Sequence, residues 1–198
     1  MKSRLRWALT ALLLGGITVS SISLATHYRK DKSEFCDLSD TFNCDMVNRG
    51  PYATFAAAAP IAFPPDPSQP PEPWLERVGD AFAAHVMQPL NDLAMRMGIR
   101  VPIAGIGLAG YLLLLVLTWV GWRNRAVAVA QFALSALALI FSLYLTYVEK
   151  YLIAYWCILC LSSLLMISAV TVLSAARAWR RPEAPRPLPS FQASAITM

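Results

Sequence analysis

Four apolar runs, residues 7–27, 101–122, 126–147 and 152–176, restrict this chain more than any other feature. A hydrocarbon layer about 30 Å thick is crossed by about 20 helical residues rising about 1.5 Å each. Each run reaches that length, and none carries an acidic or basic side chain, as expected where a charge in lipid is costly. The 198 residues are 57% hydrophobic and 15% charged, with a mean hydropathy of +0.48. Soluble domains average about 45–50% apolar and about 25% charged residues. The expected fold is an all-α integral membrane protein, a four-helix bundle with a long loop between the first and second helices. The first run follows Lys2, Arg4 and Arg6 as a signal peptide would. It is longer than the apolar core of such a signal and lacks an A-x-A cleavage site, so it is read as a retained helix.

Charge placement sets the expected orientation. One side of the bundle carries Lys2, Arg4, Arg6, Arg123, Arg125, Arg177, Arg180, Arg181 and Arg186 against Glu183 alone. The positive-inside rule makes that side cytoplasmic, with both termini. The loop from Tyr28 to Gly98 is richer in acidic than basic residues and faces the opposite, extracytoplasmic side. The net charge of +5 is thereby explained by topology, and a nucleic-acid surface is not implied.

All four cysteines fall on that outer side: Cys36 and Cys44 in the loop, Cys157 and Cys160 where the last helix begins. Such a compartment is oxidising. Two structural disulfides would satisfy the count. A four-cysteine zinc site is disfavoured, because the loop pair is eight apart and lacks the short ligand spacing of zinc knuckles. The C-x-x-C pair suits a reversible dithiol better than a staple between distant segments. Chain order also places it at a helix N-terminus, where unpaired amides and the positive end of the helix dipole favour a thiolate. Burial in an apolar setting acts in the opposite direction.

The succession FCDLSDTFNCDMV, GPYATF, PIAGIGLAGYLLLL, FSLYLTYV and AYWCILCL resembles the vitamin K epoxide reductase family in order and spacing, over about residues 9–176. The DsbB family reverses the order of the two cysteine pairs. The resemblance implies a bundle around a quinone, ubiquinone or menaquinone, with the thiols as an electron relay. By position, Cys36 would exchange with a separate thioredoxin-fold, DsbA-like partner, Cys44 with Cys157, and Cys160 would meet the quinone. It further implies a bacterial inner (plasma) membrane enzyme that generates disulfides, with its loop cysteines periplasmic. Animal relatives instead reduce vitamin K quinone and epoxide, and that remains the alternative. A membrane protein with purely structural disulfides is the third reading.

Several positions depart from the family pattern. Gly50 replaces a serine before the GPYATF aromatic, and Leu164 replaces a tyrosine four residues after Cys160 that many animal members carry. Residues 181–198 are too short and proline-rich for the fused thioredoxin domain of some relatives, and read as a disordered tail after a 1–180 membrane domain. The largest departure is an insertion at about 56–97. It begins AAAAPIAFPPDPSQPPEP, whose prolines suit an extended segment. It continues with Trp74, Leu75, Val78, Phe82 and Val86 at helical spacing, which predicts an amphipathic helix broken at Pro89. That helix either caps the mouth of the bundle or lies uncommitted on the surface.

Other residues are weaker signals. Phe55, Tyr111 and Tyr147 are candidates to stack on the quinone. Tyr28, Tyr147, Tyr151, Tyr155 and Trp156 fit an interfacial aromatic belt. His27 is expected at the interface and His85 at the surface. Gly105, Gly107 and Gly110 would let a neighbouring helix approach. No phosphate-binding glycine loop, dinucleotide fingerprint or serine-histidine-carboxylate pattern occurs, so a soluble nucleotide cofactor is not expected.

Overall fold

The computed structural model describes residues 2–29, 37–39, 42–55, 72–98, 100–122 and 124–179. Cys36, the proline-rich start of the insertion and the C-terminal tail lie outside the described residues. Four helices are long and apolar enough to cross a membrane: Ser3–Tyr28, Ile103–Val120, Arg125–Ile153 and Ile158–Ala178. We call the first α1 (Lys2–Tyr28) and the second α5 (Ile103–Val120). The third comprises α6 (Arg125–Tyr147) and a wide π-helical turn over Val148–Ile153. The fourth is α7 (Ile158–Ala178). Between α1 and α5 come a short hairpin of β1 (Asp37–Ser39) and β2 (Phe42–Asn43), α2 (Cys44–Arg49), a 3-10 turn at Pro51–Ala53 and β3 (Thr54–Phe55). These are followed by α3 (Pro73–Phe82), α4 (Gln88–Arg96) and β4 (Val101–Pro102).

The core lies between α1, α5 and α7, where Leu9, Leu13, Tyr111, Leu114, Ile167 and Val170 form one buried cluster. Tyr111 presses its ring against Gly16; a Cβ there would lie 2.3 Å from the ring, so only glycine fits. The close approach is therefore at Gly16. Of the glycines expected to serve helix packing, Gly105 and Gly107 face Leu24 and Ser20 of α1, where a Cβ would lie 3.8 and 3.5 Å away, and Gly107 and Gly110 also line a cavity. Outward-facing Leu112, Leu113, Val116, Leu137, Leu143, Leu165 and Val172 are exposed. A helix apolar on all sides is suited to lipid on its outer face.

At the end of the bundle shared by the α1 N-terminus and the α7 C-terminus, Arg177 ties three helices together. Its guanidinium donates to the Gly121 carbonyl at 2.6 Å and to Gln131 Oε1, and lies over the Trp122 ring. Gln131 in turn donates to Thr118 Oγ1 at 2.9 Å. Here the charge is met by a carbonyl, an amide and an aromatic face, which makes burial of Arg177 tolerable in a protein interior.

Two features differ from the sequence reading. The fourth span starts at Ile158, later than residue 152, because Leu152 and Ile153 complete the wide turn and Ala154 reverses the chain with φ 59°. The inserted helix is not broken at Pro89. The missing amide of Pro89 is accommodated by a π-helical turn over Ala83–Met87, after which α4 continues to a stop at Gly98, φ +66°. Along this helix Trp74 and Val78 are exposed, while Phe82, Val86, Met87 and Leu90 line a cavity of the bundle, with Val86 and Leu90 still partly exposed.

The insertion starts and returns at one place. Strands β3 and β4 pair antiparallel, Thr54 opposite Pro102 and Phe55 opposite Val101. The residues on either side of the insertion are thus held next to each other.

Candidate functional site: a dithiol beside an apolar cavity

The thiols are brought together by a backbone tie between the loop and the last connection. Phe42 bridges Trp156, and the Asn43 amide donates to the Trp156 carbonyl at 3.1 Å. Asn43 then caps α2, its Oδ1 accepting from the Met46 amide at 3.0 Å. Cys44, the first residue of α2, and Cys157, the residue that caps α7, are consequently buried in one cluster with Val47 and Leu159; Cys160 packs against it. Cys44 is engaged in a disulfide, while Cys157 and Cys160 are free thiols. Cys36 lies outside the described residues.

Cys157 sits just before the spanning helix. Its thiol is held below the ordinary value, chiefly by the hydrogen bond from the Cys160 thiol, with amides at the start of α7 contributing and burial opposing. Cys160 is one turn into α7 and lines a cavity of about 440 Å³. The cavity wall is apolar, with contributions from α1, α5, α6, α7 and the inserted helix. Its volume lies within the range of about 300–1,000 Å³ typical of small-molecule sites.

Phe55 and Tyr111 line the same cavity as Cys160. The Tyr111 hydroxyl donates to the Ser163 carbonyl at 2.9 Å, which fixes the ring one turn beyond Cys160. Tyr147 is placed elsewhere: it is not among the cavity-lining residues, and its ring meets Gly79 of the insertion and Tyr151. Leu164 does not line the cavity, although Ser163 and Ile167 do. At Gly50 any Cβ would lie 2.5 Å from the Met46 carbonyl oxygen, so this backbone has no room for the serine of the family pattern. His85 is exposed, as expected, whereas His27 lines the cavity; its Nδ1 donates to the Asn48 carbonyl, an acceptor only.

Two polar residues were missed from sequence. Asn48 is buried on α2, accepts from Ser23 on α1, and donates to the Cys44 carbonyl at 3.0 Å and to Cys157 Sγ at 3.6 Å. It therefore bridges the backbone of Cys44 and the sulfur of Cys157. Glu149 is 2% exposed. Its carboxylate accepts from the Cys157 amide at 3.2 Å, is hydrogen-bonded to the Cys160 thiol, and lines the cavity. Among the described residues, no group of histidine, cysteine, aspartate and glutamate is arranged to hold a metal.

A multi-pass helical bundle with a dithiol at the wall of an apolar cavity defines a membrane thiol oxidoreductase. The model of the vitamin K epoxide reductase family matches residues 7–175, and the chain belongs to that family. Family membership makes it an oxidoreductase linking thiols to a quinone or vitamin K. No curated protein matches the sequence.

Proposed function

We propose that the protein generates disulfides. In this reading a separate thioredoxin-fold, DsbA-like thiol protein delivers electrons to the Cys36/Cys44 pair, Cys44 exchanges with Cys157, and the Cys157/Cys160 dithiol reduces a membrane quinone. Written out, two S–H bonds are lost, one S–S bond forms, and the electron pair and two protons reduce quinone to quinol. The observation that carries the reading is the shared cluster of Cys44, Cys157 and Cys160 with Cys160 at the cavity wall. A disulfide-bonded Cys44 beside the free thiols of Cys157 and Cys160 is one step of such a relay.

The cavity fits a quinone ring by volume and by its apolar lining, with Phe55 and Tyr111 as aromatic walls. When bound, the quinone supplies two-electron acceptor chemistry; the chain supplies the thiols and excludes water. Phe82, Val86, Met87 and Leu90 of the insertion close the cavity from the outer side. The arginine and lysine distribution supports cytoplasmic termini and extracytoplasmic thiols, which in a bacterial inner membrane places the relay beside the periplasm.

The test is a trapping experiment. Cys160→Ala leaves Cys157 without its resolving partner, so a mixed disulfide joining Cys44 to Cys157 should accumulate and be identified by peptide mass mapping. Recovery of inert Cys36–Cys44 linkages alone, with quinone reduction undiminished, would overturn the relay. Turnover of a vitamin K epoxide in preference to ubiquinone or menaquinone would move the assignment to vitamin recycling.

A further inference from the structure

The relay as drawn needs a place for protons. Reduction of a quinone by a dithiol takes protons from sulfur and adds them to oxygen, inside a cavity lined almost wholly by carbon. We propose that Glu149 is the catalytic residue that accepts the Cys160 proton and returns it to the reduced quinone. This assignment rests on the thiol-to-quinone reading above and adds a residue to it.

The geometry is specific. Glu149 sits on the wide turn that continues α6, and such turns inside helices are frequent at functional sites. The turn directs the carboxyl inward, where it touches both cysteines of the pair: the Cys157 amide at 3.2 Å and the Cys160 thiol by hydrogen bond. It also faces the cavity. A carboxylate buried without a counter-ion costs several kcal/mol, and accepting a proton removes that cost. Two described cations of this end of the bundle are engaged elsewhere. Lys150 lies over the Tyr151 ring at 4.8 Å, and Arg49 is near Asp45 at 4.0 Å and donates to the Thr26 carbonyl. Among the described residues, the other titratable groups of the cavity wall and the cysteine cluster are His27 from α1, Tyr52 from the 3-10 turn, Tyr111 from α5 and Tyr155 before α7. His27 and Tyr111 are hydrogen-bonded to carbonyls of Asn48 and Ser163. Among the described residues, Glu149 is the carboxyl that meets both the Cys160 thiol and the cavity.

Protons and electrons balance. The Cys160 S–H bond breaks and its proton passes to the Glu149 carboxylate. Cys157 and Cys160 form the S–S bond as the electron pair leaves for the quinone. The proton on Glu149 then forms one quinol O–H bond. The second proton is taken from water, replacing the one that Cys157 releases to water.

A purely structural Glu149 would only hold the Cys157 amide, which a glutamine oxygen does equally well. Glu149→Gln therefore separates the two roles. Reduction of ubiquinone by the full chain in lipid nanodiscs, driven by a dithiol, is followed across pH for wild type, Glu149→Gln, Glu149→Asp and Cys160→Ser. With the proton role, Glu149→Gln lowers the maximal rate about 10²-fold near neutral pH. Its remaining rate climbs with pH, because hydroxide must remove the thiol proton, and Glu149→Asp recovers a large part of the loss. A Glu149→Gln protein that melts like wild type, reduces quinone within threefold of it and follows the same pH profile overturns the assignment. If Glu149→Gln does not fold, Glu149→Asp decides: a lowered rate with a displaced pH profile supports the role, and a wild-type rate with a wild-type profile refutes it. Failure of wild type itself to reduce quinone, or full activity of Cys160→Ser, refutes the underlying relay instead.

Discussion

Phe82 is where the inserted helix is fastened, and removing its ring should open the cavity. The ring is half-buried and lies 4.8 Å from that of Tyr144 on α6, tilted by 43°. Deleting a fully buried phenylalanine side chain costs about 3–5 kcal/mol, and an aromatic pair contributes about 0.5–1.5 kcal/mol of that kind of contact. For a half-buried ring, Phe82→Ala should therefore weaken docking by about 2 kcal/mol, or about 30-fold in the docked population at about 1.4 kcal/mol per tenfold. Hydrogen exchange in nanodiscs reads this directly, since amides of a locally opening unit exchange through its open form. Amides across 79–96 should exchange about 30-fold faster, those of α1 should be unchanged, and KM for quinone should rise. Gly79→Leu should do the same from the same face of the helix, because a Cβ there would lie 2.6 Å from the Tyr147 ring of α6. Exchange across 79–96 altered less than about threefold in both variants would refute the view that this helix is a docked cap.

Two further outcomes follow from the site. Asn48→Ala removes a hydrogen bond to Cys157 Sγ, one to the Cys44 carbonyl and the acceptor of the Ser23 hydroxyl. The protein should lose about 2 kcal/mol of stability in detergent melts. Because a donor to the thiolate is gone, the far-ultraviolet titration of Cys157 should move to higher pH and Cys44–Cys157 exchange should slow at neutral pH, the difference closing in alkali; an unmoved titration would refute the bridging role. Ala154→Gly relieves a left-handed alanine, which costs about 1–2 kcal/mol, against about 0.5–1 kcal/mol for the added freedom of glycine when unfolded. It should stabilise by about 0.5–1 kcal/mol, and a lowered melting temperature would contradict that accounting.

The bundle was legible in the sequence because lipid imposes a length and a composition on whatever crosses it. The C-x-x-C pair was legible because its spacing fits one helix turn. Glu149 was hidden by the same logic that revealed the helices: a Glu-Lys step after Tyr147 reads as a solvated turn, and only the wide π-helical turn carries the carboxyl inward. Asn48 stands in a six-residue helix, too short for any periodicity to mark its inner face. In the insertion the amphipathic pattern correctly announced a helix. The residues that meet the cavity were shifted because the turn before Pro89 changes the helical period, an effect that spacing counted at a constant 3.6 residues does not include.

The pairing of β3 with β4 closes residues 56–100 at their base. Closure entropy grows only slowly with length, by about 0.6 kcal/mol for each doubling, so this segment can be lengthened, shortened or exchanged at little cost to what lies below it. Variation in that stretch would then leave the packing of the four long helices, set by contacts such as Tyr111 on Gly16, as it is.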